Sequence, residues 1–230
     1  MPGITLAHGP QRIVCLTEET TEWLYLLGEE RRIVGISGFT VRPPRARAEK
    51  PKVSAFTSAR IDKIVALQPD LVLGFSDLQA DIAASLIRAG VPVAVFNQRS
   101  VAQIFDMLAQ LAALVGAVDR GHALLLQMRE RLTQMQQAVQ AQLDQGRRRP
   151  RVYFEEWDEP GISAIRWVSE LIQIAVGEDC FAALGAQPLG KDRIIADPLE
   201  VVRRAPDIIV GSLCGKKFRP EKVAARAGWQ

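Results

Sequence analysis

The longest regular pattern of apolar and polar positions lies in the middle of the chain, between residues 101 and 143. Apolar residues recur there at every third or fourth position, which predicts two successive amphipathic helices separated at Gly116. Asp119 is a suitable N-cap for the second helix. Glycine and proline are absent between positions 121 and 146. At a rise of ~1.5 Å per residue, the second helix is therefore predicted to be an unbroken rod of roughly 40 Å.

Similar sequence lies on either side of this rod. Residues 61–74 and residues 199–211 each describe a short helix, a proline that ends it, and an apolar run stopped by glycine. The runs Leu71–Leu73 and Ile208–Val210 are typical of parallel strands covered on both faces. One interpretation is two ordinary helix–strand units of a single α/β protein. The interpretation that we favour is two α/β lobes of related design, joined by a stiff helix and enclosing a cleft.

The other apolar runs alternate with helical segments, which predicts parallel sheets with right-handed crossovers. In the first lobe, strands are predicted at residues 12–16, 32–37, 71–73 and 91–96, and the stretch from residue 38 to 56 is predicted to be a loop. Ligands bind beyond the carboxyl ends of such strands. The residues that follow the strands directly are Thr17–Glu19, Phe39, Phe75 and Asn97.

The second lobe is predicted to start with a strand at residues 151–154, which runs into an acidic loop at Glu155–Gly161. It shows fewer strands than the first lobe. Whether the C-terminal lobe is truncated is therefore left open. The predicted domains are an N-terminal α/β lobe at 1–98, a helical linker with the inter-lobe helix at 99–146, and a C-terminal α/β lobe at 147–230.

Composition narrows the class of protein. Hydrophobic residues make up 48% of the chain and charged residues 24%, as in a globular protein, and the net charge of +3 is too small to indicate nucleic acid as a partner. No apolar segment is long enough for membrane insertion. Residues 1–9 lack the features of a secretory signal. Cys15 is predicted to be a core residue, whereas pairing between Cys180 and Cys214 is left open.

Signatures of catalysis are missing from the sequence. It contains no phosphate-binding loop, dinucleotide fingerprint or nucleophile elbow. His8 and His122 are the only histidines, and neither is expected to form a site. The acids of the predicted Glu155–Gly161 loop suit a hard cation, although a solvated loop is the simpler interpretation. We therefore predict no enzyme activity, no metal site and no cofactor.

Aromatic residues in the predicted strand-end loops are more informative. Such side chains bind large flat apolar ligands, because they supply contact area with little loss of rotamer entropy. Core packing is the simpler interpretation for any one of them. Taken together they predict a ligand site, and the five candidates are Phe39, Phe56, Phe75, Trp157 and Trp167.

These features resemble one family. The strand at residues 12–16, the unit at 61–74, the long rod and the Pro206-Asp207 unit are similar to the class III substrate-binding proteins of ABC importers. In that family two Rossmann-like lobes with parallel sheets are joined by one long rigid helix. Through residues 151–157 and 211–215, the chain resembles the cobalamin-binding branch in particular.

The resemblance implies a protein that binds cobalamin or another corrinoid in the inter-lobe cleft and delivers it to a permease without chemistry. Phe39, Phe56 and Phe75 match positions at which the family stacks aromatic rings on the corrin. Polar groups of the loops at Thr17–Glu19, chiefly Thr17 and Glu18, and at Glu155–Asp158 would orient the ligand. One acid in each lobe would dock on the permease, for which the candidates are Asp77 and Asp81 in the first lobe and Glu200 in the second.

Three alternatives stay open at this point. The same fold would bind haem or an iron–siderophore complex, the latter with help from Arg42, Arg60 or Arg166. A metal-handling enzyme would need a reactive pair such as Glu155 with Cys214. The family works in the periplasm or cell envelope, so a truly missing signal peptide would instead indicate a cytoplasmic corrinoid carrier.

Overall fold

The computed structural model describes residues 9–175, 177–213 and 215–229. His8 and Cys214, both considered above, lie outside the described residues. The chain forms two compact units. The first consists of the chain as far as Gln98 together with Gln103–Leu126, and the second consists of Arg99–Ala102 together with the chain from Gln127 onward.

The first unit is built on a sheet of five strands, which are β1 (Ile13–Cys15), β2 (Ile33–Ser37), β3 (Lys52–Ser54), β4 (Leu71–Phe75) and β5 (Val93–Phe96). Their order is β3-β2-β1-β4-β5, and every neighbouring pair is parallel. The central strands β1 and β4 are buried almost throughout, as apolar strands covered on both faces must be. The predicted α/β class and parallel sheet are thereby confirmed.

Six helices accompany and follow this sheet, namely α1 (Glu18–Leu26), α2 (Pro44–Glu49), α3 (Ile61–Ala66), α4 (Ala80–Arg88), α5 (Val101–Leu114) and α6 (Val118–Asp144). The α6 helix runs without a break for 27 residues, as the sequence pattern predicted. The division between the two units falls within α6, after Leu126. Cys15 is completely buried in the first unit, which agrees with its predicted place in the core.

The second unit is arranged around the long strand β6 (Arg151–Asp158). The other strands are β7 (Gly161–Ser163), β8 (Glu178–Asp179) and β9 (Ile208–Gly211), and the helices are α7 (Arg166–Ile174), α8 (Ala182–Gly185), α9 (Leu199–Arg203) and α10 (Pro220–Ala224). The pairing of β6 is parallel with β8 and β9 and antiparallel with β7. The core of the second unit contains Tyr153, Phe181, Ile195 and Val201.

Two segments predicted to be loops carry regular structure. The stretch from residue 38 to 56 contains α2 and β3, which are too short to show a hydrophobic period. The acidic segment after Phe154 is also not a loop, because β6 continues to Asp158 and turns back into β7. Its acids tolerate a strand because basic side chains neutralise them. Three ion pairs do this: Arg226 pairs with Glu155, Arg193 with Glu156 and Lys216 with Asp158.

The first unit also depends on a close approach between α5 and α6. A Cβ atom placed on Gly121 in α6 would lie far inside contact distance of the Ala112 Cβ atom in α5. The indole N–H of Trp23 donates to the Leu108 carbonyl at 2.9 Å and joins α1 to α5. Glycine at position 121 is therefore required by packing rather than by backbone conformation.

We expect Gly121→Ala to destabilise the protein, although helix propensity alone would make it more stable by about 1 kcal/mol. The added methyl group overpacks the contact with Ala112, at a cost of about 1–3 kcal/mol. The double variant Gly121→Ala/Ala112→Gly moves the methyl group across the contact and should recover much of the loss. Denaturant unfolding of the original chain, Gly121→Ala, Ala112→Gly and the double variant measures this. A Gly121→Ala variant as stable as the original chain would contradict the packing account.

Candidate functional site

The carboxyl ends of the five parallel strands bring five connecting segments to one edge of the first sheet. We call this the carboxyl edge. Its residues are Thr17–Glu19 after β1, Ser37–Thr40 from the last residue of β2, Ser54–Phe56 from the last residue of β3, Phe75–Gln79 from the last residue of β4, and Gln98 after β5. Backbone hydrogen bonds join these segments to one another, such as that from Gly38 N–H to the Ser54 carbonyl at 2.7 Å. This is the edge at which open α/β sheets bind ligands.

Two of the predicted aromatic residues meet at the carboxyl edge. The ring centroids of Phe56 and Phe75 are 6.4 Å apart with an interplanar angle of 44°, and both side chains are half-buried. Phe39, on the segment after β2, is 42% exposed, which is high for a phenylalanine. The structure therefore places three apolar rings on segments of one edge, where part of their surface remains accessible.

A residue that sequence reasoning missed, Gln79, fixes the segments that carry the paired rings. Its side chain is 1% exposed. Its amide oxygen accepts the Phe75 N–H at 2.9 Å, and its amide nitrogen donates to the Phe56 carbonyl at 2.8 Å. A longer contact of 3.4 Å reaches the Leu16 carbonyl at the end of β1. One buried amide thus connects the ends of three strands.

The backbone next to Gln79 is held in an uncommon conformation. Ser76 has φ +57°, a region that residues other than glycine enter rarely. Its N–H donates to the Phe96 carbonyl at 2.7 Å, and its hydroxyl accepts the Leu78 N–H at 3.2 Å. These bonds compensate the strain and turn the chain sharply after β4, which directs Phe75 and Gln79 toward the same edge.

The predicted polar residues after β1 have different surroundings. The Thr17 side chain is 1% exposed, and its carbonyl accepts hydrogen bonds from the hydroxyls of Thr20 and Thr21 at 3.1 Å each. Thr17 therefore organises the start of α1. Glu18 is half-buried and accepts a hydrogen bond from the Ser37 hydroxyl at 3.0 Å. The next residue, Glu19, accepts one from the Gln98 amide at 3.3 Å.

The second unit holds the two predicted tryptophans in separate places. The Trp157 indole lies near the end of β6, with the Lys216 ammonium 3.9 Å from its ring centroid. Trp167 lies in α7 and packs against the buried residues Ala164, Ile165 and Val168. Their role as ligand-binding residues stays a prediction.

Three of the acids near Trp157, namely Glu155, Glu156 and Asp158, pair with basic side chains. The Glu155 carboxylate is 1% exposed and forms a two-point pair with the Arg226 guanidinium, in which one N···O distance is 2.9 Å. The Tyr153 hydroxyl donates to the same carboxylate at 3.1 Å. The acids therefore form neither the solvated loop nor the hard-cation site considered from the sequence, and no cluster of metal-ligating side chains occurs within the described ranges.

The predicted docking acids are also unlike one another. Asp77 and Asp81 are exposed residues just after β4, in the turn before α4 and in its first helical turn. Glu200 instead accepts from Arg203 at 2.8 Å and from Arg204 at 2.9 Å. These two hydrogen bonds lower the pKa of Glu200. Its charge is therefore already balanced within α9.

A cavity also lies away from the carboxyl edge. It has a volume of about 850 Å³, lies within the second unit, and is lined by residues such as Val139, Arg149, Glu170 and Gly177. Several of its walls come from the chain before β6 and around the start of β8, which is the amino side of these parallel strands. Its position argues against ligand binding in the manner of α/β sheets.

The buried cysteines described here show no sign of reactivity. Burial raises the pKa of the Cys15 thiol to about 12, and it also raises the pKa of Cys180. The two are not bonded to each other. In the part of the chain that the structure describes, no helix is both long and apolar enough to cross a membrane.

The fold and the carboxyl edge define a ligand-binding α/β protein. The sequence matches the periplasmic binding protein family over residues 13–230, and the chain therefore belongs to that family. Its members are binding proteins rather than enzymes, which agrees with the prediction made from the sequence. The suspected resemblance to class III substrate-binding proteins is confirmed by the relatives and structures that follow.

The cobalamin-binding protein of Halobacterium salinarum is 26% identical over 214 residues, which cover 90% of this chain and 55% of that protein. This chain thus spans about half the length of that relative. The periplasmic vitamin B12-binding protein of Vibrio cholerae has a TM-score of 0.72 at 21% identity, covering 88% of this chain and 76% of that one. A periplasmic haem-binding protein of Pseudomonas aeruginosa has a TM-score of 0.77 at 20% identity, covering 94% and 76%. At such identities the structures show the fold.

We expect Gln79→Met to lower the free energy of unfolding by about 2–6 kcal/mol. Methionine fills nearly the same volume but leaves the Phe75 N–H and the Phe56 carbonyl without their partner, at about 1–3 kcal/mol for each buried group. Gln110→Met, at an exposed position of α5, is the matched control and should stay within about 0.5 kcal/mol of the original chain. Equal denaturant midpoints for the two variants would show that the Gln79 amide does not join these segments.

Proposed function

We propose that this chain is the substrate-binding component of an ABC importer and that it binds cobalamin or a related corrinoid. The observation that carries the proposal is the pair of rings, Phe56 and Phe75, held at the carboxyl edge by a buried amide. A corrin is a large, nearly flat ring system that suits such apolar surfaces. The relative from Halobacterium salinarum, named a cobalamin-binding protein, supports the same ligand class.

Affinity would come from burial of the phenylalanine rings against the ligand. A fully covered phenylalanine side chain buries about 150 Å². At ~25 cal/mol per Å², the favourable free energy of burial is about 4 kcal/mol for each ring. Association costs and incomplete coverage reduce that figure. Phenylalanine offers no polar group, so the orientation of the ligand would depend on other residues of the carboxyl edge.

Haem and ferric siderophores are the alternative ligands within the same family. The haem-binding protein of Pseudomonas aeruginosa has the same fold, which keeps haem as the second candidate. The siderophore alternative has less support, because each arginine proposed to read an anionic chelate already pairs with a carboxylate. These pairs are Arg42 with Glu22 at 3.1 Å, Arg60 with Asp62 at 3.6 Å and Arg166 with Glu170 at 2.8 Å.

Delivery to a permease is the second part of the proposal. Membership of a family described as periplasmic supports a role at the cell envelope. Asp77 and Asp81 are the acids that we propose for docking, since both are exposed beside the start of α4. A permease arginine that docked on Glu200 would have to displace Arg203 and Arg204 from it.

Calorimetric titration tests the ligand class. We expect cyanocobalamin or cobinamide to bind with one site per chain, and Phe56→Ala and Phe75→Ala each to weaken binding at least tenfold, a factor that corresponds to about 1.4 kcal/mol. Haemin and a ferric siderophore should be titrated in parallel. Ile87→Ala is the matched control, because Ile87 is 62% exposed near the end of α4, away from the carboxyl edge.

Two results would contradict the proposal. Absence of binding to all four compounds would exclude the importer role for this ligand class. Tight corrinoid binding that neither phenylalanine variant weakens would place the ligand elsewhere on the chain.

A further inference from the structure

The two acids after β1 lack the charge compensation found elsewhere in the chain. Within the residues that the structure describes, neither Glu18 nor Glu19 forms an ion pair. Each accepts a hydrogen bond from a neutral group instead, at 3.0 Å from the Ser37 hydroxyl and at 3.3 Å from the Gln98 amide. The acids of β6, in contrast, all have basic partners.

Partial burial of the two acids deprives their carboxylates of some solvation. Acids in the first turn of a helix are ordinary, because they complement the helix dipole, and solvent-exposed acids suffice for that purpose. Both of these are half-buried. Burial raises the pKa of Glu19, and the nearby charge of Glu18 raises it further. The helix dipole alone therefore does not explain why two acids lie at this edge.

The same edge contains a buried acceptor that has no donor in the described residues. Gln98 is 9% exposed, and while its amide nitrogen is directed to Glu19, its amide oxygen has no partner among the described residues. The buried Thr40 hydroxyl, which can donate as well as accept, is likewise unpartnered within the described ranges. A buried amide oxygen is rarely left in this state, so a group that donates hydrogen bonds is expected beside Gln98.

Nearby basic side chains are occupied in other ways. The Arg47 guanidinium donates to the carbonyls of Gly38 and Thr40 at 2.6 and 2.8 Å, which fixes the segment after β2. The Lys50 ammonium donates to the Glu30 carbonyl at 2.8 Å. Neither of these two cations pairs with Glu18 or Glu19 in the described residues, so the acceptors beside β1 are the two carboxylates and the Gln98 amide oxygen.

We infer that Glu18 and Glu19, together with Gln98, make the site selective for ligands that present hydrogen-bond donors and reject ligands that present carboxylates. The inference rests on the proposed function, because it concerns the ligand edge of the same sheet. Primary amides, as on the periphery of a corrinoid, donate to carboxylates and to the Gln98 oxygen. The propionates of haem would be repelled by both acids in a partly buried site of low dielectric constant.

Two corrinoids that share one ring provide a matched test. Cobinamide carries primary amides around the corrin, whereas cobyrinic acid carries carboxylates at the same positions. We expect the original chain to bind cobinamide at least 100-fold more tightly than cobyrinic acid, and Glu18→Gln/Glu19→Gln to reduce this ratio at least tenfold. Asp106 is an exposed acid of α5 in the same unit. The control variant Asp106→Asn removes its charge and should leave the affinity ratio unchanged.

The ratio is measured on folded protein, and the single variants Glu18→Gln and Glu19→Gln each give an independent value should the double variant unfold. Similar affinities for cobinamide and cobyrinic acid, or a ratio unchanged in every glutamine variant, would overturn the inference while leaving corrinoid binding intact. Tighter binding of haem than of cobinamide would overturn the inference, but the chain would still be a ligand-binding protein of this family. Failure to bind either corrinoid would remove the proposed function and the inference with it.

Discussion

The buried amide of Gln79 is the constraint on which the candidate site depends. A parallel sheet brings its connecting segments to one edge, but it does not fix their conformation. Hydrogen bonds from one side chain to Phe75 and Phe56 place two aromatic rings 6.4 Å apart. Because the amide is 1% exposed, water does not compete for these bonds, and their loss would leave buried groups unsatisfied. The apolar surface available to a ligand therefore follows from one polar residue.

The two groups of acids differ in how their charge is compensated. In β6 each acid has a basic partner from a distant part of the chain, so the acids support the fold of the second unit. The acids after β1 have only neutral donors in the described residues. Groups whose charge is compensated within the chain contribute to stability, whereas uncompensated and half-buried charge is more often found where a ligand completes the environment.

Local pattern was sufficient for much of the fold. The stripe of α6 and the apolar runs of β1 and β4 are properties of neighbouring residues, so their helix and strand assignments could be predicted from the sequence. β3 has three residues, too few for a period. The extent of β6 could not be predicted, because the partners of its acids lie up to 71 positions away and a single sequence does not show such pairs.

The same limit applies to the site. Phe56 and Phe75 were predicted because aromatic residues after apolar strands are a local signal. Gln79 was missed, since a glutamine four residues after β4 resembles any polar loop residue until the fold shows that it is buried. Hydrogen–deuterium exchange of the protein with and without cobinamide tests the central claim most directly. The account predicts slower exchange in the peptides around Phe56 and around residues 75–79 when ligand is added, and unchanged exchange in both of these with protection elsewhere would contradict it.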